Sequence, residues 1–458
     1  MKIKFIPMMF FFLLYLGINK MYAQEQPQAN GDTISPKIEE VKKSIDLLKT
    51  EIDILKKIKF SGYIQGQFQL ADRVGTKTYE GGDFSPISDK RFMVRRGRLK
   101  LAYMGDLTQY VLQIDVTEKG FALKDAYASF TEPWLKTFGI TVGVFNRPFG
   151  FEIPYSSSLR ESPERARMSQ ILFPGERDLG AELVIQAPKT VRIWSGFKLE
   201  AGLFSGNGIN PDFKEIKDFI GHLTYTGSTK NELFKYSAGV SYYNGKVYQG
   251  TKYIYSMNTL KDNMTKGFTV DSAATNKGGY AKREYFGADI QLIIATPVIG
   301  ITQLRGEFIM GQQPAYDNLG STSTSDATFS KTPPTRDTYI RKFNGAYFYL
   351  VQNIGKSKFG IVVKYDWYDP NTDVKGQDVK PTYSYTDGTG TVIPNNKTLL
   401  SASDIKYQTL GIGVNYKMTE NIKWTVYGAW VVNEKTGITG YGGDLYDNVY
   451  TLRMQYKF

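Results

Sequence analysis

A change of hydrophobic period along a single chain constrains its fold more than any other feature. In segment 60–70, FSGYIQGQFQL, the apolar Phe60, Ile64, Phe68 and Leu70 fall on one parity, with Gly62 and Gly66 between them. Tyr63, Gln65, Gln67 and Gln69 fall on the other. Alternation with a period of two marks a strand with one apolar and one polar face. It recurs where Tyr110, Leu112, Ile114 and Val116 oppose Gln109, Gln113, Asp115 and Thr117. It recurs again where Phe359, Ile361, Val363, Tyr365 and Trp367 oppose Lys358, Lys364 and Asp366.

Sixteen segments of this kind can be counted: 60–70, 93–103, 108–118, 121–131, 138–146, 179–188, 191–204, 217–226, 234–244, 282–295, 298–310, 340–354, 357–368, 404–417, 421–433 and 446–458. Their connections alternate in length. MGDL, TEPWLKTF, APKT and KMTEN are short, whereas 71–92, 147–178, 245–281, 312–339 and 369–403 are long. A soluble β-sandwich also alternates, but it has no reason to lengthen every second loop. A transmembrane barrel has one, with short turns on the periplasmic side and long loops outside. The last segment puts Tyr450, Leu452, Met454, Tyr456 and Phe458 on one face. In a soluble edge strand such a face would invite aggregation. The predicted fold is therefore all-β: a 16-stranded antiparallel transmembrane β-barrel over 60–458.

The N-terminal part reads differently. Residues 1–23 carry Lys2 and Lys4 before an apolar run from Phe5 to Ile18, with small Ala23 suited to cleavage. This predicts a secretory signal peptide rather than an anchor helix, because the run is short of the ~20 residues of a membrane span. Its removal would lower the net charge from +12 to +9. The chain has no Cys, so no disulfide scaffold supports it outside the cytoplasm. Within 24–59, a polar linker leads to Ile38, Val41, Ile45, Leu48, Ile52 and Leu55, spaced by threes and fours. This predicts a short periplasmic coiled-coil helix; a lone amphipathic helix on its own chain is the alternative. An even strand count would put both barrel ends on the periplasmic side, with the helix.

Basic residues cluster in RRGRLKLAY, 95–103. In a barrel this run is a wall rather than a nucleic-acid patch. Leu99, Leu101 and Tyr103 set the outward face, so Arg96, Arg98 and Lys100 point inward as a ladder able to replace parts of an anion's hydration shell. Arg95 has the outward parity, and a lipid-facing Arg is tolerable only near the interface, at about 0–1 kcal/mol. It is expected at the rim. The competing reading is that these cations only pair with Asp115, Asp125 or Glu182.

These pieces together resemble the phosphate-selective porin O and P family. The resemblance is densest where RRGRL, GDL, LKDAYASF, VGVFNRPFG, SPERA and PGERDLGAEL follow in the family's order; GLFSGNGIN, YFGADIQL, LRGEFIMG and VKYDWYDPN add to it. It implies sixteen strands, a homotrimer in outer-membrane lipid of a Gram-negative bacterium, and diffusion of small inorganic or organic anions. The family's conducting arginines include a pair matching Arg95 and Arg96. The loop 147–178 is expected to fold inward and narrow the pore. Its cations Arg147, Arg160, Arg165, Arg167 and Arg177 are balanced by Glu152, Glu161, Glu164, Glu176 and Asp178. That balance departs from a strongly cationic eyelet. Arg160, Arg165, Arg167 and Arg177 join the candidate pore-lining, anion-binding residues. SPERAR is expected to open a short helix capped by Ser162, with Pro163 first.

By parity Arg305, Lys364, Lys423, Arg453, Asp289, Glu307 and Asp366 also face inward. The single His222 is an inward wall residue with no triad partners singled out by the sequence. No Cys/His metal constellation and no cofactor motif stand out. The reading is a passive porin and not an enzyme. A structural protein reaching peptidoglycan or a periplasmic partner through 36–57 is the alternative.

Overall fold

The computed structural model describes residues 34–191, 194–260, 265–316, 331–386 and 389–458. The expected signal peptide, 1–23, and the start of the linker lie outside the described residues. The chain forms two compact units, Met1–Lys56 and Lys57–Phe458. The described part of the first is one helix, Ile34–Lys57. Its heptad residues Ile38, Val41, Ile45, Leu48, Ile52 and Leu55 are 44% to 64% exposed.

The second unit begins with β1 (Ile58–Ala71), β2 (Lys90–Met104), β3 (Thr108–Thr117), β4 (Gly120–Thr131), β5 (Phe138–Asn146), β6 (Arg177–Gln186), β7 (Phe197–Phe204), β8 (Asp218–Ser228) and β9 (Phe234–Tyr248). It continues with β10 (Ile254–Thr259), β11 (Lys266–Asp271), β12 (Tyr280–Thr296), β13 (Gly300–Ala315), β14 (Thr338–Asn353) and β15 (Phe359–Asp369). It ends with β16 (Thr382–Thr386), β17 (Val392–Lys397), β18 (Tyr407–Lys417), β19 (Ile422–Asn433) and β20 (Val449–Lys457). Apart from β10, β11, β16 and β17, these strands form one closed antiparallel barrel of sixteen. Chain neighbours pair throughout, β9 passes to β12 and β15 to β18, and β20 closes on β1. At the seam the Phe458 N–H donates to Gly62 O at 3.0 Å, and the Gly62 N–H donates back at 3.2 Å. Closure leaves no unpaired edge, which is what allows strands to stand in hydrocarbon.

Two details differ from the period-two reading. β7 starts at Phe197 rather than 191, because Trp194–Gly196 form a 3-10 turn. The loops predicted over 245–281 and 369–403 carry the hairpins β10–β11 and β16–β17.

The outward face is apolar at mid-strand, with Leu101, Leu112, Val142, Leu183, Leu304 and Ile412 exposed. Aromatic pairs flank that band at both ends. Near the short turns are Phe60 with Phe458, Phe197 with Tyr225 and Phe359 with Tyr416, their ring centres 5.7, 4.7 and 4.8 Å apart. Near the long loops are Phe68 with Phe92, Tyr242 with Phe286 and Trp430 with Tyr450, at 4.7, 5.0 and 6.1 Å. An apolar band between two aromatic girdles is a membrane-embedded surface. The architecture is that of a Gram-negative outer-membrane barrel.

The loop between β5 and β6 turns into this barrel. Phe149, Ile153, Met168, Ile171, Leu172 and Phe173 are at most 1% exposed and pack on inward Tyr243, Tyr285, Phe343, Tyr347, Tyr368 and Tyr427. Burying each such side chain stabilises by roughly 2 kcal/mol. The loop is therefore held chiefly by apolar contact with the wall from β9 to β19.

Candidate functional site

The candidate site is the lumen beside this loop. Two backbone features fix the loop's entry. Gly150 has φ +59°, a left-handed conformation, and its N–H donates to Ser241 Oγ at 2.9 Å. The next two N–H groups, of Phe151 and Glu152, donate to one oxygen of Glu307 at 3.2 and 3.1 Å, and the Tyr347 hydroxyl donates to the same oxygen at 2.8 Å. Glu152 in turn accepts from the Ala166 N–H (3.1 Å) and Ser169 Oγ (2.6 Å), which ties the start of the loop to its far limb.

The register then decides where the basic run points. Gln65 pairs with Arg96 but Gly66 pairs with Val94, leaving Arg95 as the extra residue of a β-bulge. A bulge re-aims its side chain. Arg95, expected at the rim on outward parity, instead turns inward and grips Glu164 through Nε and Nη2 at 2.8 and 2.9 Å. Arg96 Nη2 reaches the same carboxylate at 2.8 Å and Arg453 Nη2 at 2.9 Å; Arg160 lies 4.0 Å away. Burial alone would raise the Glu164 carboxyl, but the guanidiniums of Arg95, Arg96, Arg453 and Arg160 outweigh it and hold it well below the ordinary 4.5.

The other candidate arginines are likewise engaged. Arg98 faces Asp115 at 3.5 Å, and Arg177 bonds Asp125 at 2.9 Å and Glu176 at 2.6 Å. Arg165 pairs with Glu176 and donates to the carbonyls of Glu152 (2.9 Å) and Tyr155 (2.9 Å). Against the raising effect of burial, Arg165, Arg177, Lys124 and Arg98 hold the Glu176 carboxyl well below its ordinary 4.5. Arg160 donates to the Pro163 carbonyl at 3.0 Å. Arg167 is buried between the rings of Tyr79 and Tyr407, 4.7 and 3.8 Å from their centres. SPERAR does not begin a helix; the helix is Arg167–Leu172, without a side-chain cap. Ser162 Oγ donates to Glu164 O at 2.8 Å and bonds Tyr349 Oη at 2.7 Å, so it is not free to cap.

Lys100 points inward, half-buried, with no ion-pair partner among the described residues. A second bulge, unforeseen from the sequence, lies one hairpin further on. Gln113 pairs with Asp125 and Ile114 with Leu123, so Lys124 is the extra residue. It stands among Glu176, Arg98, Arg177 and Asp115 without a direct ion pair among the described residues. The signal for both bulges was a cation at a lipid-facing parity. Around these lysines, inward Tyr127, Ser129, Thr141, Lys198 and Glu200 are half-buried. Solvent thus reaches the wall β2–β7, opposite the wall that the loop covers.

Most of the remaining inward charges pair locally, but Lys423 donates to the Arg160 carbonyl at 3.0 Å and has no ion pair among the described residues. Arg305 forks onto Glu161 at 2.8 Å through both nitrogens. Lys364 meets Asp366 at 3.2 Å, and His222 Nε2 meets Asp289 at 2.9 Å. Ser241 stands opposite His222 in the register, but its hydroxyl is taken by the Gly150 N–H.

Among solved structures the chain is similar in fold to the outer membrane channel DcaP of Acinetobacter baumannii (13% identity, TM-score 0.48, covering 88% of this chain and 97% of that one). It is similar also to OprB of Pseudomonas putida (12%, 0.48, 90% and 97%) and to OmpF of Salmonella typhi (10%, 0.48, 88% and 97%). No family model and no curated protein matches the chain.

Proposed function

We propose that this protein is an outer-membrane porin, allowing passive diffusion of small hydrophilic solutes with a weak preference for anions. The observation that carries the reading is a closed barrel, apolar outside and charged inside, narrowed by its own inward loop. Solutes would pass along the β2–β7 wall. There Lys100 and Lys124 offer ammonium groups without direct ion pairs, while Lys198 and Glu200 neutralise each other at 2.6 Å. Two such lysines against the inward Glu182 favour anions modestly. Phosphate and other oxyanions enter as candidate solutes through the resemblance in the sequence.

Liposome swelling tests it. Vesicles holding the purified protein should swell in small sugars and amino acids at rates that fall with solute size. Rates equal to those of empty vesicles contradict a diffusion channel.

The same reading takes the chain to be a homotrimer and not an enzyme. Loss of a hydrolytic activity in His222→Ala would reverse the second point. A second reading is favoured by the exposed heptad stripe of the helix Ile34–Lys57: a coiled coil, 36–57, that joins copies of the chain or binds peptidoglycan or a periplasmic partner. Deleting 24–57, which stops short of β1, should then abolish the association and leave swelling unchanged.

A further inference from the structure

The Glu164 site has the chemistry of an occupied oxyanion site. Three guanidiniums touch one carboxylate at 2.8–2.9 Å and a fourth lies at 4.0 Å. Arg95 binds both oxygens in the forked geometry with which arginine takes carboxylates and phosphates. Four positive charges against one negative leave an excess in a place where the side chains of Arg96, Arg160 and Arg453 are at most 5% exposed and only that of Arg95, at 26%, meets solvent. Arg160 Nη1 is buried with no hydrogen-bond partner among the described residues. Burying unneutralised cations is unfavourable, so the arrangement persists because the loop delivers a carboxylate to it. The delivery is built in. Ser162 bonds the Glu164 carbonyl and Tyr349, and the Pro163 carbonyl accepts from both Arg160 and Arg453.

We infer that Glu164 is a tethered anion, occupying an arginine site that would otherwise hold a free oxyanion of the phosphate or carboxylate class. The inference rests on the channel reading for its meaning: the protein passes such anions without retaining them. Glu164 is then a specificity-determining residue, and removing its carboxylate turns a passage into a binding site. Two of the guanidiniums come from β2, one from β20 and one from the loop, so the site needs no new backbone to receive a ligand of that size.

The test is equilibrium binding of inorganic phosphate to the purified, folded protein in detergent, at constant ionic strength set with chloride. No current is measured, so a failure here leaves the channel reading intact, and absent swelling leaves this result intact. Glu164→Ala should bind phosphate roughly tenfold or more tighter than the native protein, because charge-assisted bonds to four guanidiniums become available. Acetate, the missing carboxylate in free form, should compete. The heat stability of the variant should rise with phosphate, and that of the native protein should not. Equal phosphate binding by both proteins overturns the inference, as does a folded Glu164→Ala that binds neither anion. Should Glu164→Ala fail to fold, Glu164→Ser, which also vacates the space of the carboxylate but leaves a hydroxyl beside the guanidiniums, decides. Phosphate-dependent stabilisation of that variant supports the site, and indifference to phosphate overturns it.

Discussion

Gly150→Ala perturbs the point at which the loop enters the barrel. At φ +59° a side chain is disfavoured by about 1–2 kcal/mol. The added methyl would also collide with the Glu307 carboxylate, the acceptor for the Phe151 and Glu152 N–H groups. A buried hydrogen bond contributes about 0.5–1.5 kcal/mol net, so losing both brings the total to about 2–5 kcal/mol. The apolar anchors Phe149, Ile153, Met168, Ile171, Leu172 and Phe173 contribute roughly 2 kcal/mol apiece, which exceeds that sum. The loop should therefore loosen over 150–156 without leaving the barrel. Hydrogen–deuterium exchange there should quicken, single-channel currents should become noisier, and the temperature at which the barrel unfolds should fall. Gly175→Ala is the control: it has φ +74° but open space around its Cβ, so only the backbone strain applies. If both variants exchange and conduct alike, the carboxylate anchor is not what holds the loop.

Three further outcomes follow from the same contacts. Glu164 and Glu176 are held well below the ordinary 4.5, so their stabilisation is complete above that pH and is lost only as pH falls through the depressed values. Exchange over 160–176, corrected for intrinsic rate, should thus match at neutral pH and at about pH 5; loosening at pH 5 contradicts the assignment. Glu161→Gln frees one guanidinium, Arg305, from a partly solvated carboxylate, and should lower heat stability less than Glu164→Gln does. Phe458→Ala removes the ring that packs on Phe60 across the seam, worth about 1 kcal/mol beyond area. It should lower the temperature at which the barrel unfolds on semi-native gels, and an unchanged temperature would discount the seam contact.

Strands were legible wherever one face was apolar. Parity alone placed Arg305, Lys364, Arg453, Asp289, Glu307 and Asp366 on the inner wall, where they are buried. The bulges at Arg95 and Lys124 left a single trace, a cation at a lipid-facing parity, because an inserted residue resets parity at one point and leaves the pattern intact on both sides. The way the loop is held was not legible. Its charge and proline content drew attention, whereas the grip comes from inward tyrosines in strands that are aromatic on both faces, such as AYFYL, 346–350. Strands buried on both faces lose clean alternation. That was the available signal for a covered wall. Of the carboxylates that the candidate arginines hold, Asp115 and Asp125 were named by the competing reading, but Glu164 was not, since it lies 289 positions from Arg453.

The most direct measurement of the central claim is single-channel recording in a planar bilayer under a potassium chloride gradient. A porin with this interior should insert in discrete, ohmic steps with a reversal potential displaced modestly toward that of chloride. Membranes that stay silent with folded protein present would falsify the channel, and a potential displaced toward potassium would contradict the role given to Lys100 and Lys124.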